Sequence, residues 1–150
     1  MKPLIITILF LLCTISVSSE TLRKLEAYAN RGDMDAQYRL GLWYYSGFNV
    51  DQDFEIAAKY FELSAVQGYM DAQFILGYLF FYGLGVTKDI EKGLALFEKA
   101  ANQNNPQAQY DLGYIYYHGI ETSADKDKAL YWMKRAYDNG DEKAVEYLGE

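Results

Sequence analysis

The chain has 150 residues, with 14 Lys and Arg against 21 Asp and Glu, a net charge of −7, 51% apolar residues and 17% aromatics. That length suits one domain, and the apolar content excludes a disordered chain. The acidic balance argues against nucleic acid and against docking on anionic lipid.

The first element in chain order is a leader. Lys2 precedes an apolar run over 4–15, and the small residues Ser16, Val17, Ser18 and Ser19 follow. A basic start, a short apolar core and small residues form the pattern of a secretory signal peptide. As a helix, that run rises about 18 Å, short of the ~30 Å hydrocarbon core, so no stable membrane anchor is expected once it is removed. The expectation is a signal peptide over 1–19 and a mature chain from Glu20, with Val17 and Ser19 at the cleavage site. Lys2 is the one charged residue in that leader, so its removal takes the charge from −7 to −8. The single cysteine, Cys13, lies inside it. The mature chain would be periplasmic or secreted, with no disulfide framework to hold it.

Beyond the leader the sequence repeats with a period of 36. Ala36, Ala72, Ala108 and Ala144 keep this step, as do Leu40, Leu76, Leu112 and Leu148. The same step links Gly47, Gly83 and Gly119, and Asp53, Asp89 and Asp125. Columns at one fixed period are the signature of a solenoid or an array. Each unit reads as two helices. The first runs from about Asp35 to Tyr45, with Ala36, Leu40 and Tyr44 in one apolar stripe. Gly47 ends it, and Asp53 caps the second helix, which carries Ala57, Tyr60, Phe61 and Ala65. The expected divisions are a half unit over 20–34, repeats over 35–70, 71–106 and 107–142, and a half unit over 143–150 that matches a first helix. Tyr147 and Leu148 would be incompletely covered there, which leaves dimerisation through that end as a further reading. Stacking repeats is what lets each helix pair bury its apolar face.

Ala72, Leu76, Gly77, Gly83, Gly85, Val86 and Asp89 in the second unit, with Ala108, Leu112, Gly113, Tyr116, Gly119, Asp125, Lys128, Ala129 and Trp132 in the third, resemble the Sel-one-like repeat family, a relative of the tetratricopeptide repeats. The resemblance implies an all-α, right-handed α-solenoid of tandem helix-turn-helix repeats and a role in protein interaction. Asn49 and Glu121 stand where the second unit has Gly85, so their loops are expected to take other conformations.

Catalytic chemistry finds little purchase. His118 is the one histidine, and without a mature cysteine it cannot anchor a zinc site or a Cys-His pair. Asp51-Gln52-Asp53 lacks the glycine and terminal Glu of a calcium loop. Gly83-Leu84-Gly85 lacks the Lys-Ser/Thr pair of a phosphate loop. Glu91 and Glu98 lie on faces rich in lysine, as solvated charge pairs do. No catalytic residue, metal or cofactor is expected.

By the same resemblance, the first helices line a concave side. Its candidate partner-binding residues are Arg39, Tyr45, Tyr78, Phe81, Tyr82, Asp111, Tyr114, Tyr117 and His118. Two readings of the rings stay open. Tyr38, Phe74 and Tyr110 suit core between adjacent first helices, whereas Tyr78, Tyr82, Tyr114 and Tyr117 suit a binding face, because tyrosine offers area and a polar tip with few rotors to freeze. The expected function is an exported protein–protein interaction module, an adaptor or an inhibitor or immunity protein of the bacterial envelope. Its partner would be another protein, offering a peptide segment or helix, with basic partners drawn by the negative charge. The alternative is an enzyme acting on cell-wall material or β-lactams, since some cysteine-rich relatives are linked to such activity; this mature chain lacks their paired cysteines.

Overall fold

A computed structural model of the chain describes residues 19–149. The leader expected over 1–19, apart from Ser19, and with it Cys13, falls on 1–18, outside the described residues. Helix α1 covers 19–30. After it come α2 (Met34–Ser46), α3 (Phe54–Ala65), α4 (Met70–Tyr82), α5 (Ile90–Asn102), α6 (Pro106–His118) and α7 (Lys126–Asp138). A 3-10 segment, Glu142–Tyr147, closes the described chain. The pairs α2–α3, α4–α5 and α6–α7 pack within units, and α3–α4 and α5–α6 pack between them. The result is the α-solenoid that the periodicity predicts.

The repeated residues account for the geometry. Asp53, Asp89 and Asp125 each accept a hydrogen bond from the backbone N–H three residues on, at 2.9, 2.9 and 3.0 Å. Each such cap stabilises its helix by about 1 kcal/mol. The N–H of the same aspartates donates to the carbonyls of Tyr44, Phe80 and Tyr116, closing each interhelical loop. Within each unit, Gly41, Gly77 and Gly113 lie against Phe61, Phe97 and Met133, where a Cβ would come within 2.7, 2.9 and 2.8 Å. Those three side chains are almost wholly buried and form the core. At the N-terminal end, Leu25 and Ala29 of α1 pack on Ala36 and Leu40.

Between units the apolar core continues, and a buried glutamine adds a polar tie to it. Gln37, Gln73 and Gln109 are buried and share the 36-residue step. Their Nε2 groups donate to the carbonyls of Ala29, Ala65 and Ala101 at 3.0, 3.1 and 2.8 Å. Within each unit their Oε1 atoms accept from Gln67, Gln103 and Asn139 at 2.7, 2.8 and 3.0 Å. A buried amide is tolerated only when its groups are satisfied, and here donor and acceptor are both engaged.

Two expectations are corrected. Asn49 and Glu121 do not give their loops a different backbone: φ is +61° and +54° there, beside +68° at Gly85. All three units carry a left-handed residue at this point. Asparagine visits that region readily, and Glu121 is held there while its carboxylate pairs with Lys88 at 2.7 Å. Only Gly85 has no alternative, because a Cβ would run into the Phe54 carbonyl of the preceding unit. The second correction concerns the last half unit, which winds as a 3-10 segment where a first helix was expected. Its i to i+3 bonds include Ala144 N–H to the Asp141 carbonyl and Leu148 N–H to the Val145 carbonyl. So short a segment makes few i to i+4 bonds, and tightening satisfies the backbone with fewer residues. Tyr147 and Leu148 are half-buried against the cluster of Met133, Ala136 and Ala144, so that end is less open than its pattern suggests.

Candidate functional site

Helices α4 and α6 are both first helices of their units, and their 3.6-residue period sets Tyr78 and Tyr82 on one stripe and Tyr110, Tyr114 and His118 on another. Between the two lies a cavity of about 360 Å³. Tyr78, Phe81 and Tyr82 line it from α4, Phe97 from α5, Tyr110, Asp111, Tyr114 and Ile115 from α6, and Ile120 from the loop beyond. The Tyr78 and Tyr82 rings lie 4.4 Å apart, and Phe81 meets Tyr82 edge-on at 5.1 Å. Tyr82 is 55% exposed and Tyr114 38%, so the mouth of the cavity is aromatic and open.

Asp111 is the one acidic residue on the wall. Burial, with help from nearby Asp141 and against the pull of Lys143, pushes its carboxyl up to about 6. The Tyr82 hydroxyl is raised in turn, first by burial and then by Tyr78, Asp111 and Tyr114. A carboxylate lifted by desolvation beside a cavity marks a candidate functional group.

A second aromatic cluster adjoins the cavity. His118 lies 4.4 Å from Tyr114 and 5.0 Å from Tyr117. Tyr147, from the terminal 3-10 segment, reaches back to Tyr117 at 5.1 Å and to His118, Tyr110 and Tyr114 at 6.2–6.3 Å. The Tyr110 hydroxyl, raised first by burial and next by its hydrogen bond with Tyr147, is pushed up to about 12.

The structure therefore divides the candidate residues. Tyr78, Phe81, Tyr82, Asp111 and Tyr114 share one cavity. Phe81 is only 3% exposed and belongs to the core with Phe97, so it forms a floor and cannot be an exposed anchor. Tyr117 and His118 stand beside the cavity, in the cluster with Tyr147. Tyr45 is tied to Phe54 and Phe61 of its own unit, at 5.4 and 6.4 Å. Arg39 is exposed and faces Asp35 one turn back at 3.8 Å, a pair of small energetic weight. Neither Tyr45 nor Arg39 joins the cavity. Tyr110 and Tyr147 belong to the site although the sequence reading set the first in the core and the second at an open end. Tyr147 falls in the column of Arg39, Ile75 and Asp111, and that shared step was the available signal. Among the described residues, no group of His, Cys, Asp or Glu is arranged to hold a metal ion, and no helix is long and apolar enough to cross a membrane.

Tandem helix pairs, polar seams between units and one aromatic face define a helical-repeat scaffold. Residues 35–69, 71–105 and 106–141 each match the Sel1 repeat, and the chain belongs to the Sel1 repeat family. Members of that family are protein-interaction modules and generally non-enzymatic scaffolds. A search of curated proteins finds no match. Among solved structures, the chain is similar to c5321, a protective antigen present in uropathogenic Escherichia coli strains displaying an SLR fold, at 33% identity and a TM-score of 0.82. That match covers 88% of this chain but only 28% of the antigen's own length. A Sel1 repeat protein from Oxalobacter formigenes is 34% identical over 86% of this chain and 97% of its own, with a TM-score of 0.76. Helicobacter pylori cysteine rich protein B shares the fold at 18% identity and a TM-score of 0.67, over 88% of this chain and 95% of that one.

Proposed function

We propose that this protein is an exported interaction module that holds a segment of another protein against the face formed by α4 and α6. The observation that carries this reading is the open aromatic cavity between the two helices, walled by Tyr78, Tyr82 and Tyr114. Exposed aromatic surface around a concavity is what interaction sites present, and tyrosine is among the residues on which binding energy concentrates. The surplus of acid over base favours a basic partner and speeds its encounter at low salt. Export rests on the leader pattern over 1–19, and an adaptor or inhibitory role in the bacterial envelope fits a preformed face with no chemistry of its own.

Affinity capture from envelope extract tests the binding face. The full chain is compared with a Tyr82→Ala/Tyr114→Ala variant that keeps its helical circular dichroism. A protein retained by the first and lost by the second supports the face; equal retention by both moves the site elsewhere. The mass of the protein recovered from cells tests export, with an N-terminus at Glu20 as the expected result.

A further inference from the structure

We propose that the cavity between α4 and α6 receives one Lys or Arg side chain of the bound protein segment, with Asp111 meeting its charge and Tyr78, Tyr82 and Tyr114 enclosing its apolar stem. The inference rests on the reading of that face as the binding surface and names what the surface selects.

Three observations converge on it. First, the cavity is small, about 360 Å³, the low end for ligand sites and suited to a single side chain. Second, its mouth is built from tyrosines, whose ring faces attract ammonium and guanidinium groups. Third, its one carboxylate has no structural duty. Asp33, Asp53, Asp89, Asp125 and Asp141 all cap helices or turns with their side chains. Among the described residues, Asp111 makes no such hydrogen bond and joins none of the ion pairs. The fold does not require an acid there either, since Arg39, Ile75 and Tyr147 occupy the same column in the other units. Burying an unpaired carboxylate costs stability. An incoming cation would offset that cost, and the interaction would strengthen as the closing partner excludes water.

The groups around Asp111 fit this use. Tyr78 and Tyr82 approach from α4, and Tyr110 and Tyr114 from α6, with His118 behind Tyr114. Helix α5 contributes only Phe97, which carries no charge. Asp141 and Lys143, near the terminal segment, act on Asp111 in opposite senses, Asp141 more strongly. The local field is thus negative, as a cation site needs.

Titrating the full chain with short peptides, followed by tyrosine-ring NMR shifts, tests the proposal. The probes are capped alanine pentapeptides with a central lysine, arginine or norleucine, and free n-butylammonium. At pH 7.5 the lysine and arginine peptides are expected to bind at least about tenfold more tightly than the norleucine peptide. Asp111→Asn should bring them down to the norleucine level and leave the norleucine peptide unaffected. Tyr82→Ala, an exposed position that leaves the core intact, should weaken all three peptides. In the unsubstituted chain the advantage of lysine should fade as pH drops through about 6, where Asp111 takes up a proton. Equal binding of lysine and norleucine, an unchanged Asp111→Asn variant, or binding by no peptide would each overturn the proposal. Butylammonium binding as tightly as the lysine peptide would overturn the assignment to a protein segment. The captured protein separates this inference from the reading beneath it. If Asp111→Asn retains that protein while Tyr82→Ala/Tyr114→Ala loses it, the face stands and the cation pocket falls. If both variants retain it, the face itself falls.

Discussion

Tyr147 lies against Tyr117, ring centroids 5.1 Å apart and edge to face, although the two come from different elements of the solenoid. The contact brings the terminal 3-10 segment onto α6 and joins it to a cluster with Tyr110, Tyr114 and His118. The last described turn is therefore part of the candidate face. Replacing Tyr147 with alanine should lower stability by about 1–2 kcal/mol, from the aromatic contacts and buried area lost. It should also lower the pH at which the Tyr110 hydroxyl ionises, now raised to about 12 first by burial and then by Tyr147. Alkaline titration followed at the phenolate absorbance would show fourteen tyrosines in place of fifteen, the latest of them ionising earlier than in the parent, and urea unfolding would report the loss of stability.

Asp111 makes stability depend on pH in a stated direction. Its carboxyl titrates near 6 in the folded protein, above the ordinary value of 3.8. Protonation therefore favours the folded state. The contribution is fully present below about pH 4 and is lost as pH rises through 6. Asp111→Asn should stabilise the protein at pH 7.5 by up to roughly 2 kcal/mol, less whatever solvent screens at this half-buried site. At pH 4 variant and parent should be nearly equal. Urea midpoints at the two pH values measure the difference.

The glutamine seam offers a third test. Gln73 bridges the Ala65 carbonyl and Gln103. Gln73→Leu would strand both partners in a buried setting and should cost about 2 kcal/mol. Gln103→Ala removes the more exposed end of the same chain and should cost less, under about 1 kcal/mol. Chemical denaturation of the two variants gives the order.

The periodicity made the number, order and pairing of the helices legible, because capping aspartates, glycines and core residues recur together. It could not show the seam. Gln37, Gln73 and Gln109 share the same step, but a glutamine reads as a surface residue until its partners are placed. The loops at Asn49 and Glu121 keep the backbone of Gly85 for two reasons that a search for glycine misses: asparagine reaches the left-handed region readily, and Glu121 meets Lys88 of the preceding unit, a neighbour only the fold supplies. At the site, the family resemblance pointed to the first helices, and helical spacing supported a shared face for residues such as Tyr78 on α4 and Tyr114 on α6. The burial of Phe81, the distance of Arg39 from the cavity and the return of Tyr147 depend on tertiary packing, which helical spacing does not encode.

Two glycines with the same place in their units should respond differently to alanine. At Gly77 a Cβ would meet the Phe97 ring at 2.9 Å and the Gly93 carbonyl oxygen at 3.0 Å. At Gly113 the obstacle is the flexible Met133 side chain at 2.8 Å. Methionine has more rotors than phenylalanine, but Met133 is buried and its Cγ is the nearest atom, so alanine overpacks both positions while gaining about 1 kcal/mol of helix propensity over glycine. Both variants should be destabilised, Gly113→Ala by about 1 kcal/mol and Gly77→Ala, where backbone also stands in the way, by about 2 kcal/mol. Thermal unfolding of both variants checks the contrast.

The glutamine seam has a consequence for how such an array can grow. Successive junctions use the same donor, a glutamine Nε2, the same acceptor, an alanine carbonyl, and the same spacing, so each end of a unit is a matching half of one standard joint. A block of 36 residues can be copied in or cut out with its joints intact, while the tyrosines and the lone acid between α4 and α6 take no part in joining. Length and recognition are thereby written in separate sets of residues, and either can be revised while the other is kept.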